Sequence, residues 1–104
     1  AFLDIMPLQK GHALVIPKKE MDYIFELDDD LLGGMMIFAK EVAKKIKNVV
    51  PCARIGVAVI GLEVPHAHIH LIPINVLNDM NFANEKMVMN ESELSKLAEE
   101  IRNA

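Results

Sequence analysis

Three of the four histidines in this 104-residue chain, His66, His68 and His70, occupy alternate positions of one short apolar segment. In a β-strand, residues i, i+2 and i+4 share one face, so three imidazoles would lie side by side while the residues between them enter the core. Neighbouring histidine Cα atoms would then lie ~6.6 Å apart, and the outer pair ~13 Å apart. Because imidazole changes charge near neutral pH, such a row could accept a proton, donate one or attack an electrophile.

Two kinds of chemistry suit this row better than a merely polar strand face. A His-x-His pair is a good arm of a zinc site, but the outer histidines are too far apart to converge on one ion. Cys52 is a lone thiol, and the sequence offers no further His-rich arm apart from His12. Covalent catalysis uses the spacing better, because His68 could attack a docked phosphoryl group while a histidine on each side holds or protonates its oxygens. We therefore expect a nucleophilic histidine and no metal or cofactor, with a zinc-binding module as the weaker alternative.

Composition limits the remaining classes of function. The length corresponds to a single domain, and the 52% hydrophobic and 25% charged residues are typical of a globular protein. A formal net charge of −4 argues against a nucleic-acid polymer as partner, which would call for a basic face. No apolar stretch is long enough to cross a membrane. The single cysteine is compatible with a reducing compartment, so we expect a cytoplasmic protein without an internal disulfide.

The hydrophobic pattern predicts an α+β fold with the element order β, β, long α, β, β, α. Runs rich in β-forming residues predict strands at residues 1–5, 12–16, 53–60 and 66–72. The last two are separated by a short turn, so we expect them to form an antiparallel pair with both faces of the third strand largely covered. Residues 76–89 show no clear period and carry no predicted element. Asn90 and Glu93 resemble a capping box ahead of a terminal helix.

The long helix follows three aspartates, residues 28–30, which suit a helix N-terminus, and it ends before Pro51. Apolar residues recur on one side of this helix at the 3.6-residue period and should form its buried stripe: Leu32, Met35, Ala39, Val42, Ala43 and Ile46. Gly33 and Gly34 weaken the helix locally, which indicates either close packing against another backbone or a frayed first turn.

Three segments of the chain resemble the signatures of one known family. Residues 66–72 (HAHIHLI) are similar to the His-φ-His-φ-His-φ-φ motif of the histidine triad (HIT) nucleotide hydrolases and transferases, where φ is apolar. Residues 2–7 (FLDIMP) and 11–18 (GHALVIPK) resemble the family's two other signature segments, in the expected order and spacing. The similarity extends over about residues 1–75, and the agreement of three separate motifs makes it specific.

The resemblance implies an antiparallel five-stranded sheet per subunit, joined into a continuous sheet in a homodimer. It also implies binding of a purine nucleoside monophosphate unit and cleavage at its α-phosphate. Carried over residue by residue, His68 would be the nucleophile that forms a nucleotidyl-histidine. His70 and His12 would contact the α-phosphate and the leaving group, and His66 would orient the row.

The resemblance also assigns a nucleotide-binding role to the signature segment at residues 2–7. Asp4 would bind the ribose hydroxyls and Ile5 would line the base pocket. The predicted activity is that of a phosphoramidase or a dinucleoside polyphosphate hydrolase. The alternative is a non-catalytic nucleotide-binding or scaffold homodimer with a relict triad.

The chain departs from the family pattern in two places. Family members usually carry an N-terminal helix and a strand before the segment that corresponds to residues 2–7, and the chain opens directly in that segment, as expected of an N-terminally truncated single domain. Ahead of the triad, Leu62 and Glu63 stand where the family often has Gln and Ser or Thr. The side-chain roles of those two positions are therefore not carried over.

Overall fold

The computed structural model covers residues 1–104 and has the expected α+β architecture, an antiparallel sheet of four strands with two helices. The strands are β1 (Phe2–Leu3), β2 (Ala13–Val15), β3 (Arg54–Ala58) and β4 (Ile69–Ile74). The helices are α1 (Asp29–Val49) and α2 (Glu91–Arg102), and short 3-10 helices lie at Ile24–Glu26 and Leu77–Met80. The element order is the one that the sequence predicts.

The sheet brings the three signature segments together in the order β1-β2-β4-β3, with every pair antiparallel. Within it, Leu14 lies opposite His70. The sheet has four strands rather than the five that the resemblance implies, and every strand is shorter than predicted. The histidine strand begins at Ile69, where its pairing with Val15 of β2 begins. Ahead of it the chain turns around Val64, whose carbonyl accepts from the N–H of His66 at 2.8 Å.

The core lies between α1 and one face of the sheet. Met35, Ala39 and Ile46 of α1 are buried against alternate residues of β2 and β4. The prediction that the residues alternating with the histidines enter the core is confirmed, because Ala67, Ile69 and Leu71 all belong to this cluster. Strand alternation therefore directs His70 to the opposite face of the sheet.

Local sequence explains where α1 begins and what its glycines do. The side chain of Asp28 accepts a hydrogen bond from the Leu31 N–H at 2.8 Å and caps the helix. Gly33 and Gly34 lie inside the first turns of α1 and are exposed, and a Cβ added at either would meet no atom within 4 Å. The interpretation that they permit close backbone packing is therefore wrong for this chain.

The two edges of the sheet are β1 and β3, and β3 is the longer edge strand. Val57 is 50% exposed, so the prediction that both faces of this strand are largely covered is wrong within a single chain. Neither α1 nor α2 combines the length and the apolar character that a membrane-spanning helix requires.

Residues 75–89, which we call the arm, cover the face of the sheet opposite α1. Met80 lies directly over Gly56, where an added Cβ would come within 2.7 Å of its sulfur. Gly56 is the register partner of Ile72, which is fully buried on the histidine face. The chain then enters α2, whose first turn is capped by Asn90 accepting from the Glu93 N–H at 2.8 Å.

Candidate active site

The ring of His68 lies just ahead of β4, and its centroid is 4.8 Å from that of the His70 ring. The Nδ1 of His68 is 2.7 Å from the backbone oxygen of His66. A carbonyl oxygen only accepts, so Nδ1 carries the proton and donates it, which leaves the lone pair of the neutral ring on Nε2. His68 is therefore held in the tautomer that a nucleophilic imidazole needs.

A second chain of hydrogen bonds sets the tautomers of His12 and His70. The N–H of Leu8 donates to His12 Nδ1 at 3.1 Å, so neutral His12 carries its proton on Nε2. That Nε2 lies 2.9 Å from His70 Nδ1 and donates to it. Neutral His70 must then carry its own proton on Nε2, where it is available to donate to a bound oxyanion.

Burial keeps this histidine pair uncharged near neutral pH. Desolvation, with smaller contributions from the nearby His12 and His68, lowers the pKa of His70 to about 4. Desolvation also lowers the pKa of His12; the carboxylate of Asp4 opposes that effect and the ammonium group of Lys86 adds to it. The direction of proton donation from His12 to His70 is consequently maintained at pH 7.

Asp4 lies at the other end of this chain. Its Oδ2 is 3.7 Å from His12 Nε2, and its Oδ1 accepts from the N–H of Met6 at 2.9 Å. The next residue, Ile5, is 74% exposed, so this chain alone does not enclose the surface that a base would contact.

His66 does not continue the row of imidazoles. Its Nε2 is 3.0 Å from the backbone oxygen of Pro17 and donates to it. The contact between His66 and His68 runs instead through the His66 carbonyl. The spacing of the histidines predicts three rings on one face, from His66, His68 and His70, whereas the structure brings together the rings of His68, His70 and His12.

The loop between β3 and β4 carries the two residues that depart from the family pattern. Leu62 is 89% exposed and Glu63 is also exposed. Gly61 has a φ of +73° at the start of this loop, a conformation that suits glycine.

Phe82 and Lys86 of the arm were not anticipated from the sequence. The Phe82 ring lies edge-to-face on His70 with a centroid separation of 4.9 Å, and 6.4 Å from the ring of His12. Lys86 is close enough to His12 to influence its pKa. The available signal was weak, since Phe82 is the single aromatic residue in a stretch without helical or strand period.

A metal ion has one candidate ligand set in this region. One ligand atom from each of Asp4, His12 and His70 lies within 4.8 Å of the others. The facing ring nitrogens of the two histidines are already joined by a hydrogen bond. An ion bound there would have to displace the shared proton and break that bond.

Comparison with known proteins identifies the family to which the chain belongs. The family model of the HIT domain matches residues 1–76. The chain is 39% identical over 74 residues to the adenosine 5'-monophosphoramidase HNT1 of Saccharomyces cerevisiae, a match that covers 70% of this chain and 47% of that protein. It is 26% identical over 98 residues to the bis(5'-nucleosyl)-tetraphosphatase of Schizosaccharomyces pombe, which covers 89% of this chain and 52% of that one.

A solved structure shows the same fold. The Hit-like protein involved in cell-cycle regulation from Bartonella henselae superposes with a TM-score of 0.80 at 28% identity, over 97% of this chain and 76% of that chain. The chain spans about half the length of the curated relatives named above. Because the family model covers all three signature segments and the fold agrees, the chain belongs to the HIT domain family.

Proposed function

We propose that the protein is a nucleotide-binding hydrolase that cleaves at the α-phosphate of a nucleoside phosphoramidate or a dinucleoside polyphosphate through a covalent nucleotidyl-histidine. The observation that carries this proposal is the 2.7 Å hydrogen bond from His68 Nδ1 to the His66 carbonyl. It leaves an unprotonated Nε2 beside a histidine that can donate, which is the pairing that displacement at phosphorus requires.

The reaction has two steps. The lone pair of His68 Nε2 attacks the α-phosphorus, a phosphorus–nitrogen bond forms, and the leaving group departs with its bonding electrons and takes up a proton from water where its basicity requires one. Water then attacks the same phosphorus and releases its proton, the bond to Nε2 breaks, and a nucleoside monophosphate and the neutral His68 are formed. The net change is the addition of one water molecule across the cleaved bond.

His70 serves this reaction by stabilising charge on the transferring phosphoryl group. Its Nε2–H donates to a phosphoryl oxygen, and it does so most strongly as negative charge develops there. His12 is 2% exposed and its Nε2–H already points at His70, so we propose that it acts through His70 rather than on the phosphate itself. His66 contributes its carbonyl, which holds the tautomer of His68.

The nucleoside is recognised beside this histidine group. The Asp4 carboxylate accepts from the ribose hydroxyls, and Ile5 contacts a purine base. The name of one relative, an adenosine 5'-monophosphoramidase, supports an adenosine nucleotide as the first substrate to test. The name of the other, a bis(5'-nucleosyl)-tetraphosphatase, supports a dinucleoside tetraphosphate as the second.

We further propose that two copies pair as a homodimer through the open edge of β3. Apolar side chains in β3 and directly after it are about half exposed. Val57 of the strand is 50% exposed, and Val59 and Ile60 after it are 41% and 48% exposed. Pairing of two such edges would satisfy the backbone groups of each and cover these side chains. The free thiol of Cys52 fits the reducing cytoplasm in which we expect the protein to act.

The test compares the wild type with His68→Ala on adenosine 5'-phosphoramidate and on a dinucleoside tetraphosphate, with AMP affinity measured by calorimetry. We expect turnover by the wild type, a loss of at least about 10³-fold in the variant because the nucleophile is gone, and similar AMP affinity. Rapid denaturation at alkaline pH, where a phosphorus–nitrogen bond to histidine survives, should trap a nucleotidyl adduct on the wild type by mass spectrometry.

Two outcomes would contradict the catalytic proposal. Equal turnover by His68→Ala would exclude His68 as the nucleophile. Binding of AMP by both proteins without turnover of either substrate would favour the alternative, a non-catalytic nucleotide-binding homodimer.

A further inference from the structure

The arm begins at the end of the matched region, since the family model covers residues 1–76 and the arm comprises residues 75–89. It nevertheless crosses the histidine face of the sheet and ends its path beside the segment that carries Leu8. The N–H of Met87 donates to the carbonyl of Pro7 at 2.8 Å. The following residue, Leu8, is the one whose N–H sets the tautomer of His12.

Phe82 makes the contact between the arm and the histidine pair. Its ring meets that of His70 at 73° and that of His12 at 83°, so both contacts are edge-to-face. A ring in this position excludes water from one side of the pair and restricts the rotation of His70. His70 is only 9% exposed and His12 only 2% exposed.

Lys86 closes the loop that carries Phe82. Its ammonium group donates to the carbonyl of Phe82 at 2.6 Å and to that of Asn84 at 3.3 Å. A charged donor shared by two carbonyls stabilises a tight loop more strongly than a neutral donor would. The loop is further tied to the arm by Asn84, whose Nδ2 donates to the Asn78 carbonyl at 2.8 Å.

The start of the arm is held by Asp79. Its carboxylate accepts from the N–H groups of Asn75 and Val76, and these hydrogen bonds lower the pKa of Asp79. The Nε2 of Gln9 reaches the same carboxylate at 3.5 Å. The arm is thus joined at both ends to the loop that leads into His12.

We propose that Phe82 and Lys86 are positioning residues for the reaction: the Lys86-closed loop presses the Phe82 ring against the His12–His70 pair and keeps the Nε2–H of His70 directed at the transferring phosphoryl group. The proposal rests on the proposed function, because it assigns His70 a partner in the substrate. Neither Phe82 nor Lys86 is placed in contact with the reacting atoms.

Protonation would separate the His12–His70 pair, so a contact that keeps the pair dry and fixed in position matters for the reaction. A proton added to His70 Nδ1 would face the Nε2–H of His12, so two donors would oppose each other and the pair would separate. The charged and titratable groups around the pair are Asp4, His68 and Lys86. Removal of the Phe82 ring would admit water, favour the protonated form of His70, and release the ring from its fixed orientation.

The test measures the His70 ring by NMR as a function of pH and the steady-state kinetics on adenosine 5'-phosphoramidate. In Phe82→Ala we expect the titration midpoint of His70 to rise by about one pH unit as desolvation weakens. We expect kcat to fall about tenfold with KM nearly unchanged, a part of the ~10²-fold that one hydrogen-bond donor to a developing oxyanion contributes. Phe82→Leu retains apolar cover and should restore most of both values.

Two controls separate bracing from general loosening of the fold. Phe25 is 73% exposed, so Phe25→Ala removes an aromatic ring elsewhere and should leave the His70 titration and kcat unchanged. Lys86→Met, which keeps the length of the side chain, should raise the His70 midpoint in the same direction as Phe82→Ala. Lys96→Met, on the exposed side of α2, also removes one positive charge, and it should leave the His70 midpoint unchanged.

The outcomes distinguish this proposal from the proposed function. Wild-type-like titration of His70 in both Phe82→Ala and Lys86→Met would overturn the bracing role, whatever the kinetics. A wild type without turnover would contradict the proposed function alone, because the NMR titration still decides whether the arm controls His70. Should Phe82→Ala fail to fold, the titration midpoint of His70 is compared between Phe82→Leu and Lys86→Met. A higher midpoint in Lys86→Met supports the bracing role, and equal midpoints overturn it.

Discussion

His12 Nε2 lies 2.9 Å from His70 Nδ1 although 58 positions separate the two residues in the chain. The direction of this hydrogen bond follows from a third group, because the Leu8 N–H occupies His12 Nδ1 and leaves only Nε2 to carry the proton. The backbone amide of Leu8 thereby determines which nitrogen of neutral His70 carries its proton.

Acidification should destabilise the protein before the carboxylates titrate. The folded state holds the pKa of His70 at about 4, below the unfolded value of about 6.5, so the unfolded chain binds more protons between these values. Stability is therefore fully present above pH 6.5 and is lost as the pH falls towards 4, by about 3 kcal/mol in total at about 1.4 kcal/mol per pH unit. Urea unfolding at pH 7.5 and pH 4.5 measures this loss, and His70→Gln should show a smaller one. Equal pH dependence in the two proteins would contradict the assignment.

Replacement of His12 should reduce turnover by removing the group that fixes the tautomer of His70. We expect kcat of His12→Ala on adenosine 5'-phosphoramidate to fall between about tenfold and a hundredfold, because the variant loses part of the ~10²–10³-fold that one hydrogen-bond donor to a developing oxyanion contributes. His12→Gln is the matched variant, because its amide oxygen can accept from Leu8 while its N–H donates to His70. Partial recovery in His12→Gln is expected, and an unchanged kcat in His12→Ala would exclude this role.

Asp4→Asn tests the proposed ribose contact. Hydrogen bonds to a charged acceptor contribute about 1.5–3 kcal/mol, so loss of the charge should weaken AMP binding about tenfold. The hydrogen bond from the Met6 N–H to Asp4 can be retained by the amide oxygen, so the local turn should survive. Calorimetric titration with AMP checks the prediction, and unchanged affinity would show that the ribose does not contact this carboxylate.

Two glycine substitutions should have opposite effects on the free energy of unfolding. Gly11 has a φ of +91°, and a Cβ there would lie 3.0 Å from Val50 Cγ2, so Gly11→Ala should destabilise by about 1–3 kcal/mol. Gly33 lies in α1 with open space around it, so Gly33→Ala should stabilise by about 0.5–1 kcal/mol. Urea unfolding of both variants at one pH gives the comparison. A destabilising effect of Gly33→Ala would instead favour close backbone packing at this position.

The homodimer proposal predicts that a charge on the open edge of the sheet prevents association. Val57→Lys should convert a dimer to a monomer, because burial of an unpaired ammonium group in an edge-to-edge contact is unfavourable. Light scattering coupled to size exclusion measures the mass of both proteins. Lys96→Met serves as a surface control, and a wild type that remains monomeric at high concentration would refute the proposal.

The element order could be predicted from the sequence because each cue is local. The aspartate at position 28 caps α1, Asn90 caps α2, and the alternation of small and branched residues around the histidines directs Ile69 and Leu71 into the core. The sequence pattern alone did not predict the ends of the strands correctly. The predicted strand at residues 66–72 starts only at Ile69, because pairing with the neighbouring strands, rather than residue type, decides where a strand begins.

Residue types and spacing by themselves determined the family, a HIT domain with its row of histidines, because each signature motif is a short local pattern. Only the tertiary structure decided which imidazoles meet. His66 turns its ring to the Pro17 carbonyl, while His12 joins His70 from a neighbouring strand, and Phe82 closes over that pair from a segment without any period. The physical reason is that contacts between distant residues depend on strand order and on how the arm folds back over the sheet, which no short segment encodes.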